Sequence, residues 1–278
     1  MAWSPQKTGK GNIKQVQFGS FERPPSVPAA HSQCRHTLMT ILPDQRPTTS
    51  SLLPFSTGLL MFAASVLVFA VFPELDLQVA AWFYEPDTGF HWSQLSPVLA
   101  SYEIFKARSI GWVVVALLAY LAYAMTRRIP VPAKRNAALF LLAMIVAGPV
   151  LLVNSGLKDH WGRARPSQVT QFGGDRSYSP PLHPAAQCDR NCSFVSGHAA
   201  AGFALIGLYW TTRRRRWLIA GIALGGLVGL GRMIQGGHFF SDIVFAFWAV
   251  YLSSSVLASL MLRPPRDTDA DAPNQAAH

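Results

Sequence analysis

The 278-residue chain carries a formal charge of +10, yet only 14% of it is charged while 50% is apolar, with 17 Phe and 8 Trp. Soluble domains run nearer about 25% charged residues, so the balance excludes an ordinary soluble protein and points to the lipid phase. The positive charge does not indicate nucleic-acid binding, because it falls in short clusters at the ends of apolar runs (Arg127-Arg128, Lys134-Arg135, Arg213 to Arg216, Arg263 and Arg266) with no groove-reading motif.

Residues 1–50 are rich in Pro, Ser, Gln, Lys and Arg and are expected to form a disordered cytoplasmic tail. The first apolar run begins near Leu52, so no signal peptide is expected. Six apolar runs follow, at roughly 52–73, 110–126, 137–156, 194–212, 216–236 and 239–262. They predict an all-α, polytopic membrane domain over 51–263 with six transmembrane helices, and a second disordered cytoplasmic tail over 264–278. Several runs fall short of the about 20 residues a span needs. The fourth and fifth reach full length only if Ser196 to His198 and Arg232 count as helix at the membrane surface.

Orientation follows from the loops. Four basic residues lie in 127–136, and the connection between the fourth and fifth runs is almost entirely arginine, so both loops and both termini are assigned to the cytoplasm. The remaining connections then face outward. The first of these, Val79 to Leu95, carries Trp82, Phe83, Tyr84, Phe90 and Trp92 and reads as an aromatic anchor in the headgroup zone. Three cysteines give no disulfide framework, and no second Cys/His pair has zinc-like spacing, so no metal is expected. Cys188 and Cys192 share an outer, oxidising loop where a disulfide can persist; two free thiols remain the alternative.

Three polar motifs fall on the same outer side. In "KDHWGRARP", Lys158 and Arg165 are seven residues apart and would share one helix face, with Arg163 as a third cation. In "FVSGHAAAG", Ser196 and Gly197 precede an apolar run, so their backbone N–H groups would sit at a helix N-terminus suited to an anion, with His198 in the first turn. In "GRMIQGGHFFSD", Arg232 could meet an anion and the Gly236-Gly237 pair turns the chain. His238 and Asp242, four residues apart, would meet on one helix face, where a carboxylate on one imidazole nitrogen leaves the other as a free lone pair. Each motif alone also fits a headgroup anchor, a structural histidine or a capping pair. Together they describe a phosphate site with an acid and a nucleophile.

Lys-x6-Arg-Pro, Ser-Gly-His and Arg-x5-His-x3-Asp, in that order, resemble the type 2 phosphatidic acid phosphatase superfamily, which includes bacterial membrane lipid phosphatases and, more distantly, vanadium haloperoxidases. The resemblance spans about residues 52–262; Val195 stands where that family usually has Pro, and Gly231 where it often has Ser. It implies that His238 attacks phosphorus to form a phosphohistidine, that Asp242 orients it, and that His198 protonates the leaving oxygen and then activates water. Lys158, Arg165, Ser196, Gly197 and Arg232 would bind the phosphoryl oxygens, with no metal and no cofactor. It further implies a multi-pass protein of the bacterial inner membrane, with its active site facing the periplasm and a membrane lipid phosphate as its partner. The long loop Ser167 to Ser193 is similar to that of lipid A phosphatases, which makes lipid A the expected substrate and undecaprenyl diphosphate or phosphatidylglycerol phosphate the alternatives. Readings of other classes are a vanadate oxidase, disfavoured by six spans, and a catalytically inactive lipid-binding or transport protein, disfavoured by the complete set of acid, base and phosphate ligands.

Overall fold

Pro73 sets the first feature of the architecture. Helix α1, Phe55–Val71, and helix α2, Leu75–Ala81, meet at an angle of 81° across it. Proline lacks an N–H and disfavours helical geometry in the residue before it, so the first apolar run stops and turns. The computed structural model describes residues 55–127 and 132–262; the expected tails, 1–50 and 264–278, lie outside the described residues. After α2 come a single 3-10 turn at His91–Gln94 and α3, Ser96–Ile104. Then follow α4, Ala107–Thr126, and α5, Pro132–His160. Next are α6, Gly197–Phe203, and α7, Gly207–Thr212, with a 3-10 turn at Ala204–Ile206 between them. The last helices are α8, Arg215–Ile234, and α9, Phe240–Met261. Among the described residues there is no strand, only two isolated bridges, Glu85 with Gly89 and Val169 with Arg176.

The described residues are thus all-helical. Among them four helices (α4, α5, α8 and α9) are long and apolar enough to cross a membrane, and the bent α1–α2 pair makes five if it is counted as one span. The expected fourth span, 194–212, is instead two short helices around the 3-10 turn, neither long enough alone.

Helix α9 is the most enclosed of the four long helices and α4 the least. Trp112, Val113, Val115 and Leu118 of α4 are exposed, as suits side chains that meet acyl chains. Lipid offers no hydrophobic drive between helices, so close packing and hydrogen bonds must hold them. Both are present. A Cβ on Gly202 of α6 would lie 2.8 Å from the Gly225 Cα of α8, so the two backbones touch where neither residue has a side chain. The indole N–H of Trp210 donates to Ser254 Oγ and that of Trp248 to Ser65 Oγ, each at 3.0 Å. Phe140, Met144 and Val153 of α5 pack with Phe203, Ile206, Val250 and Tyr251 in the core.

Helix α5 widens in its middle. Over Val146–Leu157 it adopts π-type turns around Pro149, whose missing N–H removes one helical bond, and Asn154 Nδ2 donates to the Pro149 carbonyl at 2.7 Å. Such widened turns are frequent at functional sites. Here the turn sits directly before Lys158.

The segment Val79 to Leu95 departs from a simple headgroup anchor. Trp82 is 74% exposed, as an anchor would be. Tyr84 and Phe90, however, pack on each other and on Phe172, with ring centroids 5.1 to 5.8 Å apart. With Ala164, Val169 and Phe239 they belong to a second small core beside the end of α5 and the start of α9.

Candidate active site

Lys158 occupies the last turn of α5, with its side chain largely buried. The helix then ends, because Gly162 adopts φ +66°, where a Cβ would fall 1.7 Å from the Ala185 carbonyl oxygen. Lys158 and Arg165 therefore do not share a helix face, contrary to the seven-residue spacing argument. Loop pairing brings the segment in instead: Ala185 N–H donates to Trp161 O at 2.8 Å, Cys192 N–H to Lys158 O at 3.1 Å, and Ser193 N–H to Arg163 O at 2.9 Å. Arg165 Nη2 then reaches the Asn191 carbonyl at 2.7 Å. Cys188 and Cys192 are disulfide-bonded within this loop, with Cα atoms 5.6 Å apart.

Ser196 is the N-cap of α6 and its Oγ accepts the Ala199 N–H at 3.4 Å, so His198 does stand in a first turn. A Cβ on Gly197 would lie 2.6 Å from Asn154 Oδ1, which seats this helix start against the widened turn of α5. The Ser196 N–H also donates to the Asp242 carbonyl at 3.1 Å, tying the starts of α6 and α9 together.

The third motif turns at Gly236, whose φ is +61°. His238 precedes α9 rather than lying on it, since the helix begins at Phe240. Asp242, one turn in, reaches back: its Oδ2 accepts the Phe239 N–H at 2.8 Å and lies 3.4 Å from His238 Nδ1. The pair meets through this N-terminal turn, not along one helix face as the spacing suggested.

Asp242 is also held from elsewhere. Ser193 Oγ donates to its Oδ2 at 2.5 Å and Arg163 Nη1 to its Oδ1 at 2.7 Å. Arg163 is fully buried, and each of its nitrogens is engaged: Nη1 also with Ser241 Oγ at 2.9 Å, Nη2 with Asp76 Oδ2 at 2.7 Å, and Nε with the Ser179 carbonyl at 2.9 Å. Asp76 in turn accepts from the Ser241 N–H at 2.8 Å and Ser241 Oγ at 2.5 Å. Phe239 packs its ring 4.3 Å from the guanidinium carbon. Arg163 is thus a structural hub, not a third cation facing an anion as its place in the basic cluster implied. Sequence reasoning missed Asp76, Ser193 and Ser241. Asp76 follows the first apolar run, between Glu74 and Gln78, so its local sequence does not mark it.

Tyr102 on α3 was also missed, and nothing in its local sequence marks it. Its ring stacks on the His198 imidazole, with centroids 4.9 Å apart and planes at 15°, and the Arg232 guanidinium carbon lies 4.8 Å from the same ring. Arg232 Nη1 pairs with Gln235 Oε1, while its Nε has no hydrogen-bond partner among the described residues. His198 Nε2 and His238 Nε2 are likewise buried and without a partner among the described residues. His198 lies within electrostatic range of His238, Lys158, Arg165 and Arg232. A cavity of 360 Å3 opens beside it, with Tyr102, Lys106, Arg108, Lys158, Gly197 and His198 in its lining.

His238 sits in the turn between α8 and α9, where burial pushes its pKa down to about 3, the Asp242 contact opposing and the Lys158 and Arg232 charges adding to the fall. Its imidazole is therefore neutral near pH 7, with Nδ1 toward a carboxylate and Nε2 uncommitted. Among the described residues no three His, Cys, Asp or Glu side chains cluster as a metal site would.

The chain matches the PAP2 superfamily over residues 136–265, which include all three motifs but neither Asp76 nor Tyr102. A lipid A 4'-phosphatase of Francisella tularensis subsp. novicida is 37% identical over 218 residues, covering 74% of this chain and 95% of that protein. A lipid A 4'-phosphatase of Rhizobium leguminosarum is 40% identical over 124 residues, 44% of this chain and 52% of its own. One of Rhizobium etli is 38% identical over 124 residues, 44% of this chain and 47% of its own. No solved structure gives a significant match to the chain.

Proposed function

The chain belongs to the PAP2 superfamily and is a phosphoric monoester hydrolase; we propose that its substrate is a membrane lipid phosphate, lipid A first, cleaved at the periplasmic face through a phosphohistidine on His238. The observation that carries this reading is the placement of His238, buried, with Nδ1 at 3.4 Å from Asp242 and Nε2 without a partner among the described residues.

In the proposed reaction Nε2 of His238 attacks phosphorus, and the bond from phosphorus to the lipid oxygen breaks. His198 gives that oxygen a proton, so the lipid leaves as an alcohol. A water then attacks phosphorus as His198 takes its proton, the Nε2–phosphorus bond breaks, and inorganic phosphate is released. Asp242 holds Nδ1 protonated throughout. Lys158, Arg165 and Arg232, with Ser196 and the Gly197 N–H, bind the phosphoryl oxygens and offset the charge that builds on them, which leaves no step that requires a metal. Tyr102 holds the His198 ring in plane for its two proton transfers.

Six spans, with 197–212 as the fourth and both termini cytoplasmic, fit the basic clusters at Arg127 and Arg213 to Arg216. In this proposed topology the three motifs lie at the periplasmic face of a multi-pass protein of the inner membrane. Lipid A leads the substrates because each of the three relatives bears that substrate in its name. The test is phosphate release by the purified protein from lipid A, undecaprenyl diphosphate, phosphatidylglycerol phosphate and phosphatidic acid. Lipid A should give the highest kcat/KM. A clear preference for another lipid overturns the substrate, and no release from any of them, with lipid binding retained, makes the chain an inactive lipid-binding protein.

A further inference from the structure

The cavity beside His198 has a second basic wall. Lys106, at the N-cap of α4, and Arg108, in its first turn, line the same 360 Å3 space as Lys158 and His198, with Phe105 and Ile110 among the apolar residues on that wall. Among the described residues no carboxylate lines it. The Lys106 ammonium lies 4.8 Å from the centre of the Tyr102 ring, the same ring that stacks on His198 and lies under Arg232. One aromatic side chain therefore separates Lys106 from the proposed proton donor. Lys106 pairs with Glu103 at 2.5 Å, but Glu103 is well exposed, so water and salt weaken the pair. Arg108 is exposed and has no carboxylate partner among the described residues.

A phosphomonoester carries at most two negative charges, and Lys158, Arg165, Arg232 and the start of α6 already answer them. Two more cations around one cavity repel the first three, a cost that a ligand with a single phosphate does not offset. In the proposed topology they also lie on the side where basic residues are disfavoured. We propose that Lys106 and Arg108 form a second anionic subsite, which holds a second phosphate or carboxylate of the same lipid while the first faces His238. The substrate class is then a lipid bearing two anionic groups, with its uncharged backbone against Phe105 and Ile110. This rests on the lipid phosphatase reading above.

The experiment uses the full-length protein in uncharged detergent micelles and two glycolipids with one backbone, carrying one phosphomonoester or two. For the double variant Lys106→Ala, Arg108→Ala, KM for the two-phosphate lipid should rise about tenfold, the size of one good charge contact, while KM for the one-phosphate lipid and both kcat values stay within about twofold. An equal rise for both lipids overturns the proposal, since the two cations would then serve the reacting phosphate. A loss seen only in vesicles of anionic phosphatidylglycerol, and absent in phosphatidylcholine vesicles and micelles, overturns it in favour of headgroup anchoring. Equilibrium binding to His238→Ala reads the subsite without turnover. The two-phosphate lipid should bind about tenfold more tightly than the one-phosphate lipid, and equal affinities overturn the subsite whether or not the wild type cleaves either lipid.

Discussion

His238 touches Asp242, and Asp242 is fixed by Arg163, Ser193 and the Phe239 N–H, so the ring is held through a chain of charged hydrogen bonds. His198 Nε2 has no hydrogen bond among the described residues, and the ring is held by its face, flat on Tyr102 at 4.9 Å. The difference fits two chemical tasks. A nucleophile needs one tautomer from start to finish, and a buried carboxylate enforces it. A group that must give a proton and then take one is better left free of a partner that favours either state. Stacking sets its plane without a hydrogen bond to Nε2 among the described residues.

The largest expected effect comes from breaking the His238 side of this comparison. His238→Ala should abolish phosphate release, and Asp242→Asn should cost about 10⁴-fold by presenting the wrong tautomer, with both variants inserted and eluting as the wild type. More than about a tenth of wild-type activity in His238→Ala contradicts the assignment.

Stability separates the two regions next. Arg163→Leu leaves Asp76 and Asp242 buried without their counter-charge, and should cost about 3–5 kcal/mol, read as a lowered midpoint of thermal or denaturant unfolding. Tyr102→Phe should leave that midpoint unchanged. A midpoint unmoved by Arg163→Leu would mean the network does not hold the start of α9 in place.

The His198 side predicts a smaller and more selective loss. Tyr102→Leu should lower kcat on a lipid phosphate by about 10²-fold, because an alkoxide leaving group needs the proton that a misaligned ring delivers poorly. The first burst of nitrophenolate from p-nitrophenyl phosphate, whose leaving group needs no proton, should stay within a few fold. Tyr102→Phe keeps the stack and should behave as the wild type on both. Equal losses on both substrates would make Tyr102 a general support of the fold.

The smallest effect is one of pH. Burial holds His238 neutral as pH falls through the ordinary histidine range, and the lone pair is lost only toward about 3. The burst rate with p-nitrophenyl phosphate should therefore hardly change between pH 7 and pH 5, whereas an unshifted histidine would be only about 3% neutral at pH 5. A fall with a midpoint near 6.5 would place the nucleophile in water or on another residue.

Local chemistry was legible in the sequence and long-range chemistry was not. Ser196 before Gly197 and His198 reads as a helix start because N-cap preference is a property of a few adjacent residues. The long apolar runs of α4, α5, α8 and α9 are legible for the same reason. The supposed shared face of Lys158 and Arg165 fails on one intervening residue, Gly162, whose positive φ ends the helix. Arg163 meets Asp242 and Asp76 across 79 and 87 residues, and Tyr102 meets His198 from a short helix that no motif announces. Those contacts exist only once the chain has folded. The Pro73 bend is an intermediate case, since the proline that causes it is visible but the packing that accepts the bend is not.

The most direct test of the proposed mechanism is to trap the phosphoryl group. His198→Ala lacks the base for the second step, so with p-nitrophenyl phosphate it should release about one nitrophenolate per protein and retain the phosphate. After an alkaline quench, which a phosphohistidine survives, peptide mass spectrometry should find the added phosphate on His238, and mild acid should remove it. The double variant His198→Ala, His238→Ala should carry none. Phosphate on any other residue, or a full burst that leaves no phosphate on the protein, would contradict a covalent intermediate at His238.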